Sequence, residues 1–338
     1  MKIAVIGSGI GGLAIACRLA AKGHEVSVFE KNALPGGKIS EINEEGYRFD
    51  TGPSLFTLPE LVEELYIASG ETVPSTFAYK KLEVICKYFY SSGESLIAWS
   101  DQQKFTDECV QKLGEDPSNI SNYFKNASLI YKITADIFLF NSLHKVKNLM
   151  KFSVLKSLFQ VYKIRFYKTM HTGNKSNFKS PLLVQLFDRY ATYNGSNPYK
   201  APATLNVIAH LENNLGAYFP EQGMYSIVKN IYKLALKKGV HFNFNSLVTS
   251  IDIKSKKAVG LKVGYKTMAF DKIVSDSDIN YLANNLMDHP HKKRFDRLEP
   301  SSSALVFYWG INKEFPDLDL HNIFFSADYK KEFNNLFN

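Results

Sequence analysis

Lys2-Ile3-Ala4-Val5-Ile6-Gly7-Ser8-Gly9-Ile10-Gly11-Gly12-Leu13-Ala14-Ile15-Ala16-Cys17-Arg18-Leu19-Ala20 opens as a short apolar run, breaks into glycines, and resumes as a helix pattern ending near Gly23. Glu25-Val26-Ser27-Val28-Phe29 follows as a second strand, and Glu30 closes it. Strand, Gly7-x-Gly9-x-x-Gly12, helix, strand and acid together make a complete β-α-β dinucleotide fingerprint. The first glycine permits the tight turn. The second lets the backbone approach a pyrophosphate at the helix N-terminus, and the third allows close helix–strand packing. Glu30 stands 23 residues after Gly7, a spacing that suits a carboxylate accepting hydrogen bonds from a ribose hydroxyl. Glycines alone could build a bare turn; the acid ending the second strand is what points to a nucleotide.

Past Glu30, a nicotinamide domain would continue with another strand and helix. This chain instead has Lys31-Asn32-Ala33-Leu34-Pro35-Gly36-Gly37-Lys38, a turn-forming loop with a cation, then short strands expected at 38–42 and 47–49. Asp50-Thr51-Gly52-Pro53-Ser54 follows. From Leu55 to about Leu215 the pattern is mostly helical and aromatic-rich, with a helix expected over 58–65 and Pro59 in its first turn. The nucleotide pattern resumes at Tyr218-Phe219-Pro220-Glu221-Gln222-Gly223-Met224. A helix over 225–238 carries Met224, Ile227, Val228, Ile231, Leu234 and Ala235 on one face, and Gly239 supplies its C-terminal cap. A strand at 240–244, three short strands within 247–270 and a final buried strand at 272–275 complete the order. The block between the two nucleotide-like parts therefore reads as an insertion.

The 338 residues carry 41 Lys+Arg against 33 Asp+Glu, a formal net charge of +8; 45% are hydrophobic and 22% charged. That is ordinary for a folded protein and excludes a disordered or collagen-like chain. Aromatics reach 14%, with 25 Phe and 19 Tyr but 2 Trp, an excess that hints at apolar surface used for more than packing. Three dispersed cysteines, Cys17, Cys86 and Cys109, argue against a disulfide framework or thiolate zinc site and favour a reducing cytoplasm. Five of the fifteen residues from Ile3 to Cys17 are Gly or Ser in an ordered run, unlike a secretory leader. No apolar run reaches the roughly 18 residues that span a bilayer.

Charge is concentrated. Residues 137–187 contain no Asp or Glu but nine cations: Lys145, Lys147, Lys151, Lys156, Lys163, Arg165, Lys168, Lys175 and Lys179. Phe152, Leu155, Leu158, Phe159, Tyr162 and Ile164 interleave with them as in basic amphipathic helices. A solvated helical face and a face docked on anionic lipid both fit this pattern. Nucleic acid does not, because no nucleic-acid motif accompanies the patch.

The fingerprint at Gly7–Gly12, Glu30, Pro35-Gly36-Gly37-Lys38 and Asp50-Thr51-Gly52-Pro53-Ser54-Leu55 strongly resembles FAD-dependent amine-oxidase-like flavoproteins. With Tyr193-Asn194-Gly195-Ser196-Asn197-Pro198-Tyr199, Phe219-Pro220, Gly223-Met224 and Ser301-Ser302-Ser303-Ala304, nearly the whole chain resembles the bacterial-type phytoene desaturase family of carotenoid desaturases and isomerases. Within it the similarity leans toward desaturases of hydroxylated end groups, the 1-hydroxycarotenoid 3,4-desaturase branch. The resemblance implies an α/β fold: a Rossmann-like FAD-binding domain with a β-meander (residues 1–54 and 216–285), a largely helical inserted substrate and membrane-contact domain (55–215), and a further substrate-domain segment (286–338). It implies FAD as cofactor, held by Gly7, Gly9, Gly11, Gly12, Glu30, Lys31, Gly36, Gly37, Lys38, Gly52, Pro53, Ser54 and Val248. It also implies Arg189, Tyr190 and Tyr193 near the flavin, although packing explains the tyrosines as well. The implied partners are a carotenoid and, through residues 137–170, a membrane surface, for a cytoplasmic protein at the inner face of the cell membrane.

Two departures stand out. Gln222-Gly223 replaces the paired glycines usual in the family, and the last glycine-rich segment and helix are missing, so the chain reads as C-terminally truncated. The expectation is that these 338 residues bind FAD weakly or not at all; stoichiometric flavin surviving gel filtration would refute it. Desaturation removes a hydride and a proton from adjacent carbons, with flavin as hydride acceptor. No catalytic triad or metal is required, and no catalytic residue is assigned. Asp288-His289-Pro290-His291, the nearest approach to a ligand cluster, lies beside Lys292, Lys293 and Arg294 and reads as a solvated loop. The rival readings are a carotenoid cis–trans isomerase, an amine-oxidase-like enzyme of soluble amines, and an inactive relic. A product lighter by two hydrogens separates desaturation from isomerisation.

Overall fold

The computed structural model describes residues 1–138, 160, 164, 166–287 and 295–337. The chain divides into two compact units, Met1–Lys80 with Tyr218–Glu299, and Lys81–Ala217 with Pro300–Asn338. These boundaries differ from those drawn on sequence at 54, 215 and 285. Residues 55–80 go with the nucleotide fold because Phe56, Leu65, Tyr66 and Phe77 are buried in its core.

The first unit is built on β1 (Lys2–Ile6), α1 (Ile10–Ala20) and β2 (Glu25–Phe29). A parallel sheet runs in the order Lys272–Ser275, β1, β2, His241–Asn243. Successive strand side chains point to opposite faces. Val5, Val26 and Val28 therefore join α1 and the helix Tyr225–Lys237 in one core. Ala4, Ile6 and Phe29 join Val248 and Leu261 in the other. Those two residues belong to the antiparallel meander Val248–Lys254, Lys257–Val263, Lys266–Ala269. Burial on both faces is why β1 and β2 read as apolar runs with little alternation.

The helix Tyr225–Lys237 buries the expected face: Met224, Ile227, Val228, Ile231, Leu234 and Ala235 are each at most 3% exposed. Its last turn closes as Val240 N donates to the Ala235 carbonyl at 3.1 Å. Two expectations shift. The helix expected at 58–65 is Glu60–Ala68, starting after Pro59. Lys272–Ser275 is only partly buried, because it forms the sheet edge and pairs with β1 alone.

The second unit carries the expected helices, among them Gln102–Leu113, Pro117–Phe138 and Pro181–Asp188. It also holds a sheet that the helical reading missed, in the order Asn322–Phe324, Val84–Phe89, Ser95–Trp99. Much of the aromatic excess lies inside this unit rather than on a functional surface. Phe187 stacks on Phe178 at 4.9 Å and meets Tyr123 at 4.1 Å between ring centroids, with Phe105 and Phe124 around them.

Most of the basic block, residues 139–159, 161–163 and 165, lies outside the described residues, as do Asp288, His289, Pro290 and His291. Within the block Ile164 and Met170 are buried, and Phe166 and Tyr167 are exposed. Among the described residues no helix is long and apolar enough to cross a membrane. The three cysteines are free and buried; burial pushes the thiols up, Cys17 to about 12 and Cys86 to about 11.

Candidate nucleotide-binding site

In the first unit the C-terminal ends of β1 and β2 open into a cleft of about 890 Å³. This is the end of a parallel sheet where ligands bind in open α/β folds. Gly7, Gly9 and Gly11 line it from the turn, Glu30 and Lys31 from the end of β2, Gly36, Gly37 and Lys38 from the following loop, and Val248 from the meander. Nine of the thirteen residues expected to hold the cofactor, Gly7, Gly9, Gly11, Glu30, Lys31, Gly36, Gly37, Lys38 and Val248, thus line one cleft.

The turn is tight. Gly7 N donates to the Phe29 carbonyl at 2.8 Å, and a methyl on Gly12 would lie 2.2 Å from the Gly7 carbonyl oxygen. Gly12 itself is buried against this turn and does not line the cleft. Its contribution is packing, the role of the third glycine.

Glu30 is 6% exposed. Its Oε2 accepts from both the backbone N and the Oγ of Ser8, each at 2.9 Å, and its Oε1 accepts from Asn32 N at 2.9 Å. The acid therefore has a structural task that the sequence reading did not assign: it clamps the glycine turn to the loop after β2. A carboxylate has about four lone-pair sites, so one acceptor direction is left.

The loop at 35–38 is anchored twice. Gly36 N donates to the Ser8 carbonyl at 2.9 Å, and the Tyr225 hydroxyl donates to the Pro35 carbonyl at 2.9 Å. Gly52, Pro53 and Ser54, expected beside the cofactor, do not line the cleft. Gly52 instead backs the loop: at φ +100° it packs so closely that a methyl would lie 1.9 Å from the Lys38 carbonyl oxygen. The preceding Asp50 accepts from Met224 N at 2.9 Å and Tyr225 N at 3.1 Å, which caps the helix Tyr225–Lys237.

Sequence reading missed Asp276, Asp278 and Tyr281, which also line the cleft. The position of Asp276, directly after a parallel strand at its C-terminal end, was the available signal. Burial and the negative charge of Glu30 push its carboxyl up, against backbone hydrogen bonding from Gly12 and Gly9 that pulls it down.

The donor set suits the adenosine-diphosphate half of a dinucleotide. Backbone of the glycine turn faces the cleft, an acid lines it from the end of β2, and Lys31 and Lys38 supply positive charge nearby.

Arg189 and Tyr190, both buried, and Tyr193, which is exposed, form a network within the second unit. Arg189 Nη2 donates to the Tyr88 hydroxyl at 2.8 Å, and Tyr190 and Tyr193 donate to Glu212 at 3.1 and 2.6 Å. Glu212, 1% exposed, was not singled out from sequence. Two of the matched segments meet here as well, since Ser302 N donates to the Gly195 carbonyl at 3.0 Å.

A family model for an NAD(P)-binding Rossmann-like domain matches residues 5–66. The chain is 42% identical along its whole length to the 1-hydroxycarotenoid 3,4-desaturase of Flavobacterium sp. (strain P99-3), spanning 69% of that protein. It is 27% identical over 99% of its length to the 4,4'-diaponeurosporene oxygenase of Staphylococcus haemolyticus (strain JCSC1435), spanning 67% of it. A solved oxidoreductase structure from Methanosarcina mazei matches with a TM-score of 0.59 at 18% identity, covering 89% of this chain and 66% of that one, a likeness of fold alone. The chain thus spans about two thirds of the length of these relatives. With 42% identity maintained from end to end, it belongs to the carotenoid desaturases, a family of oxidoreductases with a Rossmann-like dinucleotide-binding domain.

Proposed function

We propose that the protein is an FAD-dependent desaturase of a carotenoid, of the branch acting on hydroxylated end groups. The observation that carries this reading is the cleft in which the Gly7–Gly12 turn, Glu30, the 35–38 loop and Val248 converge, in a chain of this family. When bound, FAD supplies the acceptor for the hydride removed from the polyene.

The chain's own residues then have binding and positioning roles. The backbone of the turn at the start of α1 would hold the pyrophosphate, the remaining acceptor direction of Glu30 would take a ribose hydroxyl, and Lys31 and Lys38 would balance phosphate charge. Gly52 holds the Lys38 loop from behind. The substrate is an apolar polyene from the bilayer, and we assign its docking on anionic lipid to the basic, aromatic residues 137–170. Anionic liposomes are expected to sediment the intact protein at low salt and to release it at high salt.

The deciding experiment expresses the full-length protein in cells that accumulate either phytoene or a 1-hydroxycarotenoid and weighs the products. Loss of two hydrogens per step is expected. A product of unchanged mass but altered geometry would replace desaturation with isomerisation. No product, together with no flavin absorbance in the purified full-length protein, would sink the reading.

A further inference from the structure

Asp276 follows the strand Lys272–Ser275, and its backbone N donates to the Ile6 carbonyl at 2.8 Å, which fixes it beside the end of β1. Its side chain lies over the glycine turn. A methyl on Gly9 would lie 2.5 Å from Asp276 Oδ2, one on Gly11 2.4 Å from Oδ1, and one on Gly12 3.1 Å from Oδ2. The carboxylate therefore occupies the space that the missing side chains of the turn leave open at the start of α1. The N-cap residue of α1, Gly9, has no side chain to satisfy the first N–H groups, and the first turn holds no acid. A carboxylate from elsewhere in the chain is a favourable guest there, for the same reason that a phosphate is.

We infer that Asp276 is an internal competitor for the pyrophosphate position, and that the cleft takes a dinucleotide only as this carboxylate yields that position. The inference rests on the dinucleotide reading of the cleft. Two anions cannot share one helix N-terminus without strong repulsion, so the acid weakens binding of every dinucleotide and favours none. The charged and titratable groups that line the same cleft are Glu30 from β2, Lys31 and Lys38 from the following loop, and Asp278 and Tyr281 from the segment after Asp276 itself. Glu30 adds to the repulsion, whereas the lysines favour the incoming phosphate. A protonated Asp276 would yield more readily, so binding weakens as pH rises through the titration of this acid.

The test titrates ADP, then FAD, into the intact protein by calorimetry at half-unit steps from about pH 4.5 to about pH 8. The variants are Asp276→Asn, Asp276→Ala and Asp278→Asn, each checked for an unchanged thermal melt. Asp278→Asn removes the same charge from the same cleft but away from the turn. Asp276→Asn and Asp276→Ala are expected to tighten ADP binding by roughly five- to tenfold, and Asp278→Asn by less than about twofold. Wild type is expected to lose affinity as pH rises from about 4.5 more than either Asp276 variant does, since burial pushes this carboxyl above its ordinary value. Equal affinity in wild type and both Asp276 variants overturns the inference, and so does weaker binding by them, which would make Asp276 a ligand. If the intact wild-type protein and its Asp276 variants alike bind neither ADP nor FAD, the dinucleotide reading itself fails and takes the inference with it.

Discussion

One oxygen of Glu30 accepts two hydrogen bonds from Ser8, from its backbone N and its Oγ, both at 2.9 Å, while Ser8 is fully buried. The acid that marks the end of β2 is thus part of the wall of the turn as well as a proposed ribose acceptor.

Glu30→Ala would leave the buried donors of Ser8 and the backbone N of Asn32 without their acceptor. An unsatisfied buried donor costs about 1–3 kcal/mol, so a loss of about 2–3 kcal/mol is expected for the variant after partial rescue by water. Urea unfolding followed by circular dichroism measures it. Glu30→Gln keeps one acceptor oxygen and should fall between the two. A ribose-binding role without a clamp would leave the stability of Glu30→Ala unchanged.

The Phe-Pro-Glu-Gln-Gly segment departs from paired glycines, and the structure shows which of the two positions needs glycine. Gly223 sits at φ +81°, where an added methyl would lie 1.9 Å from Arg48 Nη2. Gln222 offers only its carbonyl, which accepts from Arg48 Nη2 at 2.9 Å. Gly223→Ala is expected to destabilise by more than about 1 kcal/mol, through both the left-handed backbone and the displaced arginine. Gln222→Gly should change stability by less than about 1 kcal/mol, since any residue supplies that carbonyl. Thermal melts of the two variants check the asymmetry.

The nucleotide fold was legible because its signals are local. An apolar strand, a glycine turn and an acid at fixed spacing leave few alternatives, and the single apolar face of the helix Tyr225–Lys237 marks its packing. The strands Val84–Phe89 and Ser95–Trp99 were missed although Val84-Ile85-Cys86 and Tyr88-Phe89 carry β-branched and aromatic residues before the Ser91-Ser92-Gly93 turn. The third strand, Asn322–Phe324, pairs with Val84–Phe89 across 235 positions, and such a pairing leaves no local mark. Asp276 was missed although its place directly after a parallel strand was a signal, because its contact is long-range. Nothing near it in sequence says that its carboxylate lies on Gly9 and Gly11. Gly52 was placed at the cofactor because its motif resembles a family motif, whereas its own contact is with the backbone of Lys38.

In the second unit, Asp188 is 1% exposed and binds His171 Nδ1 at 2.6 Å through Oδ2 and Asn174 Nδ2 at 2.8 Å through Oδ1. Burial pushes its carboxyl up, and the bonds from His171 and Asn174 only partly offset that. An acid with a raised pKa binds its proton more tightly folded than unfolded. Its contribution to stability is therefore fully present below the unfolded value of about 3.9 and is lost as pH rises through the folded value. Asp188→Asn carries no such proton. The difference in unfolding free energy between wild type and Asp188→Asn should drift against wild type as pH rises from about 4, and level off once the acid is ionised. Urea titrations at half-unit pH steps measure that difference, in which the other carboxylates cancel. A difference that instead drifts in favour of wild type would show that the histidine and asparagine bonds outweigh burial, and that the Asp188 carboxylate is held charged.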